Sequence, residues 1–348
     1  MGGCKAAAAA VLAVVAASAT LTPSAGAQGY PDRPVKLVTQ GAAGSGPDVI
    51  GRIVTDHLGR LWGQQIVIIN QPGAGGSAAA RMAAAAVPDG YTLYMAATST
   101  FLVMPEIFPN LPIDLERDFV RIGLMGEQPM IFGVAPSLGV ASLPELVALS
   151  KRRPGELMYA ANARGTFPHL TVERLRKETG ADLTFIPYPG AAAGLQDLLG
   201  GRISMIVESV GALYGAMQSG SLKALAVASS KRLPNFPDLP AASETVPGLE
   251  AMGWFALLAP AGTPEPIVRQ VNKDLLTVLD MPELRKSFQD LGTFVRPMSP
   301  AETTQFIRNE QQVWRPIVRS LNRHSSSQER PTAAGRSARA PHSDHEPS

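Results

Sequence analysis

From residue 35 onward the chain alternates short apolar runs with stretches whose apolar positions recur every three or four residues. Val35–Thr39, Ile66–Ile69, Tyr91–Ala96, Ile131–Val134, Leu157–Ala160, Leu183–Pro187, Ile203–Val207, Lys223–Ala228 and Gly253–Leu258 have the length and content of strands. Helical patterns lie between them. Pro47–Trp62 places Ile50, Ile53, Val54, His57, Leu58 and Leu61 on one face, and alanine-rich Ser77–Val87 stops at Pro88-Asp89-Gly90. Ser142-Leu-Pro-Glu145 opens a helix to Arg152, and Pro168–Thr179, Ala191–Leu199 and Val210–Ser219 follow. This alternation predicts an α/β fold, parallel strands with helices on both faces. The stretch between Ala96 and Ile131 reads as irregular, and Lys231–Pro247 as a proline- and serine-rich connector. Glu265–Leu279, Pro282–Leu291 and Pro300–Leu321 read as helices, and the polar, aperiodic tail 324–348 is expected to be disordered.

The 348 residues, 45% hydrophobic, suffice for one large core or two moderate ones. A charged fraction of 17%, a net charge of +2 and the lack of a basic run with interleaved aromatics argue against nucleic acid as partner. At the N-terminus Lys5 precedes an alanine-rich run from Ala6 to Ala19, and Ala25-Gly26-Ala27 fits a small-x-small cleavage site. Residues 1–27 are therefore expected to be a secretory signal peptide cleaved near Ala27, which directs the protein outside the cytoplasm. The sole cysteine, Cys4, would leave with it, so the mature chain is expected to rely on its core rather than on disulfides. No later apolar run reaches the about eighteen residues that suggest a membrane span.

Two loops share a pattern. One ends Ser45-Gly46-Pro47-Asp48 and the other Thr166-Phe167-Pro168-His169, so in each a hydroxyl stands two residues before a proline that opens a helix. Ser45 fits an N-cap with Asp48 reaching back, and Thr166 fits an N-cap likewise. On this reading Ser45→Ala would cost about 1 kcal/mol. A second reading adds a ligand: Ala43, Gly44 and Gly46 would let an anion approach backbone N–H groups at the positive end of the helix. Two such starts facing each other would hold a carboxylate.

Phosphate motifs are not matched. The position three residues after Gly46 is Val49 rather than glycine, and no G-x-x-x-x-G-K-[ST] occurs. The cluster Pro72-Gly-Ala-Gly-Gly76 serves a turn or a ligand equally well. Catalytic signatures are also missing: no G-x-S-x-G, no H-E-x-x-H, and only His57 and His169 between signal and tail. His57, on an apolar face, reads as a partly buried structural residue, and His169 as a candidate ligand neighbour. No metal-ligand spacing is present, and no cofactor or metal is expected.

The order of these blocks identifies a resemblance. Tyr30-Pro-Asp-Arg-Pro34, Ala43-Gly-Ser-Gly-Pro-Asp48, Asn70-Gln-Pro-Gly-Ala-Gly-Gly76, Pro88-Asp-Gly-Tyr-Thr-Leu93, Gly165-Thr166, Pro187-Tyr-Pro-Gly190, Asp197-Leu-Leu-Gly-Gly201, Leu222-Lys-Ala-Leu-Ala-Val227 and Trp254–Pro264 occur in sequence. Together they resemble the extracytoplasmic solute-binding receptors of tripartite tricarboxylate transporters, the Bug or TctC-like family. The resemblance implies a type II periplasmic-binding-protein fold of two α/β lobes, with lobe 1 at 28–128 plus 233–323 and lobe 2 at 129–232. It implies a monomer that captures a dicarboxylate, amino acid or aromatic acid by lobe closure and delivers it to TctA- and TctB-like membrane subunits. A sensory receptor for a membrane signalling partner and a secreted α/β hydrolase are the alternatives.

Carried onto this sequence, the family's gripping loops fall on Ala43–Asp48 and Asn162–Thr166, with Thr98, His169, Tyr188, Gly190 and Glu208 facing the cleft. Departures from the family pattern are Ala42, Ser45, Arg164, Glu208 and Ser209. Arg164 either forms a bidentate pair with a second ligand carboxylate or points to solvent, and Phe167 either covers an apolar ligand body or packs internally.

Overall fold

The computed structural model describes residues 29–43, 45–72, 76–107, 110–161 and 164–328. The expected signal peptide, Gly44, Asn162 and residues 329–348 lie outside these.

β1 (Val35–Thr39) is buried on both faces, Val35 and Leu37 toward one core and Val38 toward another. It pairs in parallel with β2 (Ile66–Asn70) and β3 (Thr92–Ala97), which explains its unbroken apolar run. β3 pairs antiparallel with β9 (Met252–Pro260), and β9 pairs antiparallel with β4 (Phe119–Val134) from Phe119↔Pro260 to Pro129↔Met252. β4 then continues into a second sheet with β5 (Met158–Ala161), β6 (Thr184–Pro187), β7 (Met205–Ser209) and β8 (Lys223–Val227).

The first sheet runs β2-β1-β3-β9-β4 and the second β6-β5-β7-β4-β8. Each has parallel strands in the order second-first-third, then an antiparallel strand that crosses from the other sheet. This is the type II two-lobe α/β architecture. Helices cover both faces of each sheet. On the first are α1 (Gly46–Trp62), α2 (Ser77–Ala84), α3 (Thr98–Leu102), the short turn α4 (Met104–Ile107), and later α9 (Glu265–Leu279) and α10 (Pro282–Asp290). On the second are α5 (Leu143–Arg152), α6 (Phe167–Thr179), α7 (Ala191–Leu199) and α8 (Val210–Gln218).

Several expectations are corrected. The stretch read as irregular contains α3, α4 and most of β4, a strand of 16 residues. Its pattern is hidden by polar residues that are buried with partners: Arg121 on Glu116 and the Phe119 carbonyl, Glu127 on Arg296 at 2.7 Å, and Gln128 on Thr293 at 2.8 Å. Gly123 and Gly126 fall where the β4–β9 register shifts, and a Cβ on Gly126 would lie 2.9 Å from Thr293. Leu61, in the last turn of α1, is 45% exposed rather than part of the core face, and α2 ends at Ala84.

The last helix, α11 (Pro300–Gln328), runs past Leu321 into the tail expected to be disordered. Its first half packs on the first sheet through Ile307, whereas Trp314, Ile317, Val318 and Leu321 join the core of the second. Ala242, Val246, Leu249 and Ala251 also pack with the second sheet, so residues after 233 contribute to both cores. No helix among the described residues is long and apolar enough to cross a membrane.

Candidate functional site

α1 begins where β1 ends. Ser45 holds the N-cap backbone position, with its carbonyl accepting from Val49 N at 2.9 Å, and Pro47 sits in the first turn, where its missing N–H costs nothing. The Ser45 hydroxyl makes no cap bond and has no partner among the described residues, although it is buried. Asp48 is 1% exposed, takes two bonds from Arg52 at 2.8 and 3.0 Å, and accepts from Asn70 Nδ2 at 2.8 Å. Asn70 also donates to the Gly41 carbonyl at 2.8 Å, so Asp48 and Asn70 tie the loop to β2 from behind.

α6 begins in the same way. Thr166 occupies the N-cap position without a side-chain cap bond, and Pro168 lies in the first turn. Gly165 takes φ +80°, which glycine alone adopts cheaply, and its N–H donates to His169 Nδ1 at 3.2 Å. His169 is 1% exposed, lies against Tyr159 and Phe185, and burial pushes its pKa down to about 4. It is thus neutral at pH 7 and positions the loop by accepting from Gly165.

The two starts face one cleft of about 630 Å³. From the first sheet come Gln40, Ser45, Gly46, Pro47, Val49 and Ile50, with Ala97, Thr98 and Ser99 at the start of α3; from the second come Thr166, Phe167 and Pro168, Pro189–Ala191 at the start of α7, and Glu208–Ala212 around the start of α8, Val210 excepted. The floor is made by the crossing strands through Gln128, Met130, Gly253, Trp254 and Phe255. α6, α7 and α8 have no acidic residue in their first turns, and the one in α1 is neutralised by Arg52. Their positive ends therefore remain available to an anion. The site lies at the carboxyl ends of the parallel strands, where α/β sheets place ligands. Two other depressions, of about 560 Å³ beside β2 and about 630 Å³ beside Leu111–Arg117, are lined from one lobe and lack such a meeting of helix starts.

With this geometry in place, comparison with known proteins is decisive. The profile described as "Tripartite tricarboxylate transporter family receptor" matches residues 50–323. The chain belongs to this TctC family. Protein BugT of Bordetella pertussis is 33% identical over 312 residues, covering 89% of this chain and 96% of the relative. Among solved structures, Rpa4515 of R. palustris with adipate superposes with a TM-score of 0.77 at 30% identity, covering 83% of this chain and 97% of that one. MatC of Rhodopseudomonas palustris with bound malate gives a TM-score of 0.73 at 31% identity, over 83% and 100%.

For this TctC-family chain, the structure brings Ser45, Gly46, Thr98, Thr166, Gly190 and Glu208 to the cleft wall. Thr98 also serves as a strut, its hydroxyl bonding both the N–H and the carbonyl of Trp254. Asp48, Gly165 and His169 stand behind the wall and set its loops rather than line it. Ala43 is exposed outside the lining, and Tyr188 bonds Asp197 at 2.7 Å beside it. Arg164 is exposed, with its guanidinium 5.7 Å from the Phe185 ring centroid, away from the lining. Phe167 packs on Trp314, with ring centroids 5.0 Å apart, and also lines the cleft.

Sequence reasoning missed Gln40, Ser99 and the whole floor. Gln40 is fixed by Ser99 at 3.1 Å and Thr100 at 2.6 Å, and beside it Gly76 takes φ +93°, a conformation glycine adopts cheaply, where a Cβ would also fall 2.0 Å from Gln40 Oε1. That glycine, in a cluster left open between turn and ligand roles, was the available signal. Among the described residues no group of three His, Cys, Asp or Glu side chains could hold a metal ion.

Proposed function

We propose that the mature protein is a periplasmic solute receptor that captures a small carboxylate between its lobes and delivers it to the membrane subunits of a tripartite tricarboxylate transporter. The observation that carries this reading is the meeting of the α1 and α6 starts, one from each sheet, across one cleft. A carboxylate placed there takes charge-assisted hydrogen bonds from backbone N–H groups that are already oriented. The relatives solved with adipate and with malate support the same ligand class.

Closure is the mechanism. The lobes are joined by β4, β9 and α11, so a rotation about these elements brings the two helix starts together. The ligand bridges both jaws only in the closed form, and this difference in contacts drives the equilibrium toward the state a membrane partner recognises. The cleft is read as binding without turnover. His169, the histidine nearest to it in sequence, has Nδ1 committed to Gly165 and activates no hydroxyl. Export follows from the N-terminal segment, with Gln28 as the first mature residue.

Native mass spectrometry of protein purified from a periplasmic extract, with analysis of the ligand released on denaturation, tests this proposal. A carboxylic acid released in stoichiometric amount, and a mature chain starting at or near Gln28, are the expected results. A cytoplasmic protein retaining residues 1–27, or a neutral sugar or a metal ion as the released ligand, would overturn it.

A further inference from the structure

We propose that Glu208 makes this cleft select carboxylates that also carry an ammonium group, such as amino acids, over dicarboxylates of the same length. The proposal rests on the carboxylate-receptor reading above and adds the chemistry of the ligand's other end. Among the described lining residues there is no lysine, arginine or histidine, and Glu208 is the single carboxylate. The sequence left Arg164 as a candidate partner for a second ligand carboxylate. The fold places it outside the lining, exposed and over Phe185. A dicarboxylate would therefore find helix starts but no cation in this described lining, and Glu208 would face one of its ends.

Glu208 is held in place by its backbone. It pairs with Ile131 in the β7–β4 register, and Ser209, the N-cap of α8, donates its N–H to Glu208 Oε2 at 3.4 Å. The carboxylate thus stands at the wall of the second lobe, at the end of the strand next to β5, which leads into α6. A fixed negative charge in a partly dry cleft attracts an ammonium and repels a second carboxylate, and apolar walls strengthen both effects. Val49, Ile50, Met130, Phe167 and Phe255 supply such walls and suit an aliphatic or aromatic body between the two charged ends. The relatives solved with adipate and malate hold ligands with two carboxylates, so the inference sets this chain apart from them.

The test is isothermal titration calorimetry of the mature wild type, Glu208→Gln and Glu208→Asp. The ligands are aliphatic and aromatic amino acids, ω-amino acids, their desamino counterparts, and dicarboxylates of matched length. At least one amino-carboxylate is expected to bind the wild type about tenfold or more tightly than both its desamino and its dicarboxylate counterparts, a ratio typical of one charge-assisted hydrogen bond. Glu208→Gln should lose that advantage, with the desamino acid unchanged and the dicarboxylate improved, whereas Glu208→Asp should keep the preference. A wild type that binds a dicarboxylate as tightly as its amino counterpart overturns the proposal and leaves the carboxylate reading standing. So does a preference unaltered in a folded Glu208→Gln. If Glu208→Gln fails to fold, the wild-type ranking and Glu208→Asp decide alone. Binding of no acid of any class removes the carboxylate reading itself, a different and recognisable result.

Discussion

At the scale of single residues, hydroxyls at helix starts have two uses, and the structure separates them. Ser45 occupies the N-cap backbone position, yet its hydroxyl bonds nothing among the described residues and sits at the cleft. Ser45→Ala is therefore expected to change stability by less than about 0.5 kcal/mol, not the about 1 kcal/mol of a working cap. Urea unfolding checks this; a loss near the full capping value would show that the hydroxyl caps after all. Ser142 is the contrasting case, because its hydroxyl accepts from Glu145 N at 3.4 Å while Glu145 bonds Ala141 N at 2.8 Å.

His169 gives a second prediction at this scale. Its pKa near 4 lies below the ordinary 6.5, chiefly through burial, so the unfolded chain takes up the proton first as pH falls. The stabilisation is whole above about pH 6.5 and is lost on acidification from there toward about pH 4, with a magnitude on the order of 3 kcal/mol. His169→Gln should flatten the stability-versus-pH curve in that window relative to wild type. Identical slopes would contradict the role given to His169.

At the scale of elements, the helices were readable wherever proline opened them and an apolar face followed, as in α1, α5 and α6. What remained unreadable has a physical cause. β4 is one continuous strand, but its buried Glu127 and Gln128 satisfy their polar groups through partners far along the chain, and no local pattern reports such partners. The cleft floor on β4 and β9 was lost with it. The two lobes share a strand order rather than a sequence period, so a search for repeats of fixed length finds nothing. The two helix-start loops were legible because Ser-x-Pro and Thr-x-Pro encode a helix start locally.

The junction between α8 and the turn after α10 is a further prediction at this scale. A Cβ on Gly211 would lie 2.6 Å from the Leu291 carbonyl oxygen, and that atom is backbone and cannot move aside cheaply. Gly211→Ala is expected to cost about 1–3 kcal/mol in urea unfolding. Gly215→Ala in the same helix meets nothing within 4 Å and should stabilise by about 0.5–1 kcal/mol. Equal effects of the two substitutions would show that the contact does not constrain the packing.

At the scale of the whole molecule, α11 and β9 are linked beneath the cleft. The Glu310 carboxylate accepts from the indoles of both Trp254 and Trp314 at 3.3 Å, and burial raises its pKa. Trp254 contributes to the cleft floor and Trp314 packs on Phe167 of the opposite wall, so the two lobes and the last helix meet at this carboxylate. Lobe closure is thus expected to change tryptophan fluorescence, which offers an optical readout of binding.

The central claim is that a carboxylate is gripped where the α1 and α6 starts face each other. A Cβ on Gly46 would meet no atom within 4 Å, and Gly46 lines the cleft, so Gly46→Trp should fold normally and fill the site. The most direct measurement is calorimetric titration of the mature wild type and Gly46→Trp with a panel of mono-, di- and amino-carboxylates. The account predicts saturable binding of at least one acid by the wild type and none by the folded variant. A panel that binds neither protein while neutral sugars or metal ions do, or an acid held equally well by Gly46→Trp, would contradict it.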